Sequence, residues 1–463
     1  MMNTSDIDFS NTSTRFHFIG IGGISMSGLA ELLLSEGFKV SGSDSHQSEL
    51  TDSLIKMGAR ISFPQKADNI TDDIDVVVYT AAIHEDNPEL MEVRKRNLPA
   101  FTRAEFLGRI MTLYRVSVAV AGTHGKTTTT SMLSEILLKA GTDPTLSIGG
   151  ILPSIGGNFR VGSKDFFVTE ACEYTNSFLS FAPNIALILN VEADHLDFFK
   201  DLDDIRSSFH KFAALLPDDG CLIINGATDG IKTVTEGLSS RIVTFGPDKG
   251  SDYYPEDISN DDNACATFTL CHGDEKLGKV QLKVPGLHNV ENACAAAAAA
   301  VEMGIDTNII LGALGSFGGT ERRFQYKGSF NGVTVVDDYA HHPSEIKATL
   351  STAQNCTHKN LWVVFQPHTY TRTKALLPEF ADALSHADNV VLADIYAARE
   401  TDNLGISSRT LADEISKSGH NAWYFGSFEE IEKFLSKNLI HDDLLITMGA
   451  GDIYKIGDDL LKN

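Results

Sequence analysis

The stretch VSVAVAGTHGKTTTTSML, residues 116–133, opens with a run that is apolar but for Ser117, passes through two glycines, and continues as a helix-forming segment. Such a largely apolar run suits a parallel strand covered on both faces. Gly122 and Gly125 let backbone N–H groups turn inward towards an anion. Lys126 adds a point charge for β- and γ-phosphates, Thr127 a hydroxyl suited to magnesium, and the helix starting there points its positive end at the same anion. Residues 122–130 therefore read as a nucleotide phosphate loop, with Gly122, Thr123, His124, Gly125, Lys126, Thr127 and Thr128 at the ligand. The general pattern G-x-x-x-x-G-K-[ST] puts glycine at 120, where Val120 stands. An incidental lysine at a strand–helix junction is the other reading.

Working outward, the same strand–helix alternation recurs in both directions. Before the loop, expected strands are 16–19, 38–41, 76–80 and 99–101, with a helix through Leu34 ended by Gly37. After it they are 165–169 and 185–190, then 333–337, 361–365, 389–393 and 444–447. The helix after the loop runs from Thr127 to about Ala140. Such alternation predicts an α/β chain of doubly wound parallel sheets. With 463 residues, about three domains are expected, divided as 1–112, 113–323 and 324–463. HNVENACAAAAAA, 288–300, has the highest helix propensity of any segment and side chains small enough for close packing.

Acidic residues outnumber basic ones, 62 to 38, for a formal charge of −24. Such a surface repels nucleic acid and anionic lipid, and no Lys/Arg run argues for nucleic-acid binding. An anionic substrate must then meet a local pocket of Lys, Arg and backbone N–H groups. Six cysteines stand without a CxxC pair, which reads as reduced thiols in a cytoplasmic protein. No apolar run reaches the length of a membrane span.

Several strand ends carry candidate chemistry. FFVTEACEYTNSFL puts Glu170 at a strand end and Glu173 just beyond; NVEADHLD puts His195 after the next strand. Hard oxygen donors beside a phosphate loop suit magnesium. The alternative is solvated acids and a His195 paired with Asp194 or Asp197. VVDDYAHHPSE, 335–345, brings Asp338, His341 and His342 to a strand end, where α/β sheets place ligand sites. No Cys or Glu stands at zinc spacing from the two histidines. FQPHTYTRT adds His368 and Arg372, with Lys374 beyond; arginine is the bidentate choice for a carboxylate, and Lys374 reads as solvated. FHFIGIGGISMSGLAELL, 16–33, is a glycine turn between strand and helix, with Asp44 after the second strand. A dinucleotide fingerprint needs glycine at 20, 22 and 25, and 25 is serine, so evidence for NAD is poor; the turn still suits a pyrophosphate.

The string GTHGKTTTT resembles the ATP loop of the Mur ligases, whose loop is shorter than the general pattern, so Val120 is then expected. The resemblance extends along nearly the whole chain. It implies three domains: a Rossmann-like UDP-binding one, a central P-loop ATPase-like parallel sheet, and a Rossmann-like C-terminal one. It implies ATP and magnesium, with Thr127, Glu170 and His195 on the metal and Glu173 as the alternative carboxylate. It puts Asn289 and Asn292 at adenine, although asparagine is also a favoured helix start. GTERRF resembles the family's arginine near the phosphates, with Arg323 preferred to Arg322, and D-Y-[AG]-H-x-P resembles DDYAHHP. GIGGISMSG, GSD at 42–44, TAAIHEDNPE at 80–89 and RAEFL at 103–107 resemble the alanine-adding members, which puts Gly20, Gly22, Gly23, Met26, Ser27, Gly28, Asp44 and Arg103 at a UDP-sugar. Several members carry a carbamylated lysine near the position of His210 and Lys211. The implied activity is amide synthesis through an acyl phosphate, from UDP-N-acetylmuramate and L-alanine, with His341 or His342 as base and Lys126, His368 and Arg372 as further catalytic residues. A monomer or homodimer is expected.

Overall fold

The computed structural model describes residues 7–80, 82–195, 198–398 and 400–462. Its chain forms two compact units, Met1–Tyr254 with Asn292–Ala313, and Pro255–Glu291 with Leu314–Asn463.

In the first unit, β1 (Arg15–Ile19), β2 (Lys39–Ser43), β3 (Arg60–Ser62), β4 (Val76–Tyr79) and β5 (Ala100–Thr102) form a sheet in the order β3-β2-β1-β4-β5. All its pairings are parallel. The chain reverses its winding between β1 and β4, so the glycine turn leaving β1 lies at the switch point of the sheet.

The strands of the same unit continue as β6 (Val116–Ala121), β7 (Thr145–Leu152), β8 (Gly157–Arg160), β9 (Phe166–Glu170), β10 (Ile185–Ile188), β11 (Cys221–Asn225) and β12 (Arg241–Phe245). Their order is β12-β11-β10-β6-β9-β7-β8, parallel except for the β7–β8 hairpin. Val118 to Ala121 are fully buried, as a central parallel strand requires. Helix His288–Glu302 carries Ala293 to Ala300, every one of them buried; a helix apolar all round is a core helix. One core joins Phe16, Phe18 and Phe106 to Phe167, Ala186 and Leu222, so the first sheet and the loop-bearing sheet pack as one body.

β13 (Tyr253–Asn260) carries the chain into the second unit, where β14 (Cys265–His272) and β15 (Glu275–Pro285) form an antiparallel hairpin. Then come β16 (Gln325–Phe330), β17 (Val333–Asp338), β18 (Leu361–Phe365), β19 (Asn389–Leu392), β20 (Asn421–Tyr424) and β21 (Leu444–Met448), in the order β16-β17-β21-β18-β19-β20. β16 is antiparallel to β17 and the rest are parallel.

Expected strands 116–121 and 361–365 have the bounds of β6 and β18, and the others shift by one or two residues. Antiparallel pairs β7–β8, β14–β15 and β16–β17 add to the expected parallel sheets. Of these strands only β17 was expected, at 333–337. Along β14 the burial alternates residue by residue over 265–270, the period of a half-covered antiparallel strand rather than the apolar runs used to find the parallel ones.

Gly28 lies inside helix Ile24–Ser35, not on the glycine turn. A Cβ there would sit 2.4 Å from the ring of Phe159 on β8. Its missing side chain serves the packing of the first sheet's helix against β8. Gly28→Ala is expected to overpack this contact and destabilise the fold by about 1–3 kcal/mol. Thermal unfolding of Gly28→Ala and of Gly28→Ala with Phe159→Leu checks it: the second change recovers the loss if packing is the cause.

Candidate active site

The phosphate loop leaves β6 between β9 and β10. Gly125 has φ +82°, and a Cβ there would meet Asn292 Oδ1 at 2.6 Å; both the backbone and the close approach demand glycine. Asn292 Oδ1 also accepts from Thr129 Oγ1 at 3.2 Å. Asn190, just after β10, accepts the His124 N–H at 2.7 Å and donates from Nδ2 to His124 O at 3.2 Å. Thr123 Oγ1 accepts the Glu192 N–H at 3.0 Å. The loop is thus held by Asn292 on helix His288–Glu302 and by residues 190–192.

Register places the acids. Val120 on β6 pairs with Glu170 on β9, so Glu170 emerges beside the loop, with its Oε2 3.1 Å from Thr127 Oγ1. The N–H of Gly149 on β7 donates to its other oxygen. Lys126 donates from Nζ to the carbonyls of Gly122 and Thr123 and to Glu173 Oε2 at 3.0 Å. Burial favours the neutral amine, but Glu173 and then Glu170 outweigh it, so the Lys126 ammonium is held above its ordinary value. Glu173 is only 2 % exposed, and Lys126 is its counter-ion. His195 has Nε2 3.8 Å from Glu173 and 3.9 Å from Asp194, and its ring lies on Tyr174 with centroids 4.6 Å apart. Asp197 lies outside the described residues. His210 belongs to helix Leu202–Ala213, and its Nδ1 is 3.0 Å from Val234 O.

The glycine turn after β1 is held from β2. Gly20 and Ile21 donate to Ser43 O at 2.8 and 3.0 Å, and Gly22 donates to Asp44 Oδ2 at 2.8 Å. Arg103 Nη1 reaches Ser25 Oγ at 3.1 Å. The serine that spoils the dinucleotide fingerprint therefore anchors an arginine at the turn. Met26 and Ser27 are buried with Gly28 in the helix's packing face, whereas Gly23 is exposed and Gly22, Asp44 and Arg103 are half-buried.

In the second unit the ends of β17 and β18 meet. The rings of His341 and His368 have centroids 5.9 Å apart, and His368 stacks on Tyr396. Among the described residues, His368 Nδ1 and Arg372 Nη1 are buried without a hydrogen-bond partner; such atoms need a ligand or water. His342 instead starts helix Pro343–Gln354 as its N-cap, where Glu345 accepts the backbone N–H groups of His341 and His342. Of the two adjacent histidines, His341 joins the cluster. Asp338 is buried and accepts from the N–H groups of Phe324 and Ala340 at 2.7 and 2.8 Å. Burial pushes its carboxyl up to about 6, although Arg323 opposes this. Arg322 is bound to Asp337 and to the carbonyls of Gly449 and Gly451, while Arg323 lies against the Tyr339 ring. Asn289 donates to Pro285 O at 2.7 Å, a helix-start contact. Lys374 donates to Leu404 O at 2.9 Å.

Burial holds the His368 imidazole down to about 4, helped by the charges of His341 and Arg372; burial also lowers His341. Both rings are therefore neutral at pH 7. A folded value below the unfolded one means that neutral His368 contributes stability above about pH 6.5, lost as pH falls towards about 4. Histidine-resolved NMR titration is expected to put the His368 midpoint near 4. A midpoint at the ordinary histidine value would contradict its burial.

Asn190, Gly149 and Tyr174 were not among the expected site residues. Asn190 stands at a strand end in the NVEADHLD stretch, which is a usable signal; the other two emerge only from strand pairing and ring packing.

Glycine-turn, phosphate-loop and β17–β18 sites on three successive α/β sheets define a nucleotide-dependent ligase class. Family models described as Mur ligase family catalytic domain, Mur ligase middle domain, and Mur ligase glutamate ligase domain match residues 15–115, 120–300 and 322–451. The chain belongs to the Mur ligase family. It is 60% identical over 457 residues to UDP-N-acetylmuramate–L-alanine ligase of Lachnospira eligens, covering 98% of this chain and 99% of that protein. It is 51% identical to the ligase of the same name from Lachnoclostridium phytofermentans, covering 98% and 99%. The crystal structure of UDP-N-acetylmuramate-alanine ligase from Thermotoga maritima superposes with a TM-score of 0.80 at 31% identity, covering 97% of this chain and 98% of that one.

Proposed function

We infer that the chain joins L-alanine to the lactyl carboxylate of UDP-N-acetylmuramate at the expense of ATP, in peptidoglycan synthesis. The observation that carries this reading is the phosphate loop with Thr127 3.1 Å from Glu170 and Lys126 3.0 Å from Glu173, in a chain matched end to end by ligases of that name. We assign the UDP-sugar to residues 1–112, ATP to 113–323 and the amino acid to 324–463.

ATP phosphates lie on the N–H groups of residues 122–127. The lactyl carboxylate attacks the γ-phosphorus, breaking its bond to the β-phosphate bridge oxygen and releasing ADP. Lys126 and Arg323 offset charge spreading over the transferred group, the dominant effect in phosphoryl transfer. The neutral amine of L-alanine attacks the acyl phosphate, phosphate leaves, and UDP-N-acetylmuramoyl-L-alanine results. Arg372, whose Nη1 has no hydrogen-bond partner among the described residues, takes the alanine carboxylate, and His341, neutral and beside His368, accepts the ammonium proton. Gly22, Gly23, Asp44 and Arg103 hold the UDP-sugar.

The donors beside the loop fit magnesium: Thr127 and Glu170 are hard oxygens at close range, and magnesium needs few protein ligands because it keeps waters and takes phosphate oxygens. Thr127, Glu170 and His195 would hold it, and its charge would neutralise the β- and γ-phosphates. Among the described residues no helix is long and apolar enough to cross a membrane, and we assign the protein to the cytoplasm.

A substrate panel tests the reading. ADP release should require both UDP-N-acetylmuramate and L-alanine. Release with another amino acid, with a tripeptide, or with a non-uridylated acceptor in preference to this pair would overturn it.

A further inference from the structure

The strands that deliver the glycine turn at their ends also bound a groove of about 560 Å3 at their starts, a size suited to a small metabolite. It is lined by His17, Lys39, Ser41, Arg60, Ser62 and Asn69 among others. Lys39 and Arg60 begin β2 and β3. Neither has an ion-pair partner among the described residues, in a chain of net charge −24. Arg15 also lines the groove and is paired with Asp73; Asp68 is the remaining carboxylate. Two uncommitted cations of different shape, with hydroxyls and an amide around them, recognise an anionic head on a hydrogen-bonding body.

One buried carboxylate links this groove to the glycine turn. Glu89 is fully buried. It accepts from Asn69 Nδ2 and the Lys66 N–H, and lies 3.6 Å from His17 Nε2. It also accepts from Ser43 Oγ, and the Ser43 carbonyl holds the N–H groups of Gly20 and Ile21. Asn69 of the groove and Ser43, the anchor of the turn, thus share one buried acceptor, and the His17 ring lies 3.6 Å from it. Displacing Asn69 takes a donor from this buried carboxylate and shifts the demand onto its remaining donors, Ser43 among them.

We propose that this groove is a second ligand site, for a small molecule with a phosphoryl or carboxylate head, whose occupancy alters UDP-sugar affinity through Glu89. The coupling rests on assigning the Gly20–Gly23 turn to the UDP-sugar; the site itself does not.

The test uses the full chain labelled with 13C at histidine Cε1 and titrated with sulfate at constant ionic strength, with malonate in parallel to separate a phosphoryl-type from a carboxylate ligand. The His17 resonance, assigned by its absence in His17→Asn, should move saturably in the wild type and stay still in Lys39→Ala/Arg60→Ala. Both replaced side chains are exposed, so the double variant keeps its fold. At saturating anion the Kd for UDP-N-acetylmuramate should change about fivefold in the wild type, and less in the double variant. Direct competition at the glycine turn would give equal changes in both proteins, which overturns the coupling. No saturable His17 shift with either anion, or the same shift in the double variant, overturns the site. The His17 measurement needs no UDP-sugar, so failure of the site and failure of the proposed function are told apart.

Discussion

Lys126→Ala is expected to lower kcat for ATP-dependent ligation by about three orders of magnitude, leaving UDP-N-acetylmuramate affinity within about twofold. The ammonium is the one cation on the loop, and nothing else there replaces a charge aimed at transferring phosphate. The same change removes the counter-ion of Glu173, which is 2 % exposed. Breaking a buried pair from one side costs about 3–5 kcal/mol, so the variant should also unfold earlier. Lys126→Ala with Glu173→Gln removes the stranded charge, and its thermal midpoint should recover most of the loss. Its ADP release should stay near background. Recovery of turnover along with stability would show that Lys126 matters to the fold alone, and turnover near wild type in the single variant would sink the phosphate-loop assignment.

The second large effect concerns two adjacent arginines. Arg322→Met should destabilise the second unit by about 3–5 kcal/mol, because Asp337, 1 % exposed, loses its ion pair and the Gly449 and Gly451 carbonyls lose their donor. Asp337 would keep Thr447 Oγ1 at 2.7 Å, which does not neutralise it. Arg323→Met breaks no hydrogen bond of the fold among the described residues, so its stability should stay within about 0.5 kcal/mol of wild type while kcat falls. Urea unfolding reads this directly. The chain has only two tryptophans, Trp362 and Trp423, stacked 5.9 Å apart on β18 and β20 of that unit, so fluorescence reports it without the rest of the chain. Equal midpoints for the two variants would remove the distinction between the arginines.

The sequence by itself determined the strand–loop–helix unit at 116–139, the repetition of that unit into α/β sheets, and the strand-end stretches that carry the chemistry. These are local matters: apolar runs specify buried parallel strands, and glycine, lysine and a helix start specify an anion cradle within a few residues. Tertiary structure alone decided the partners. Thr127 finds Glu170 and Lys126 finds Glu173 across 43 and 47 residues, because β6 and β9 pair in one register; a slip by one residue would turn Glu170 to the other face of the sheet. It also separated neighbours that sequence leaves equivalent. Arg322 turns into the sheet while Arg323 does not, and His341 joins His368 while His342 caps a helix. Which of two adjacent side chains faces a site depends on backbone direction at that residue, and only the packed fold sets it.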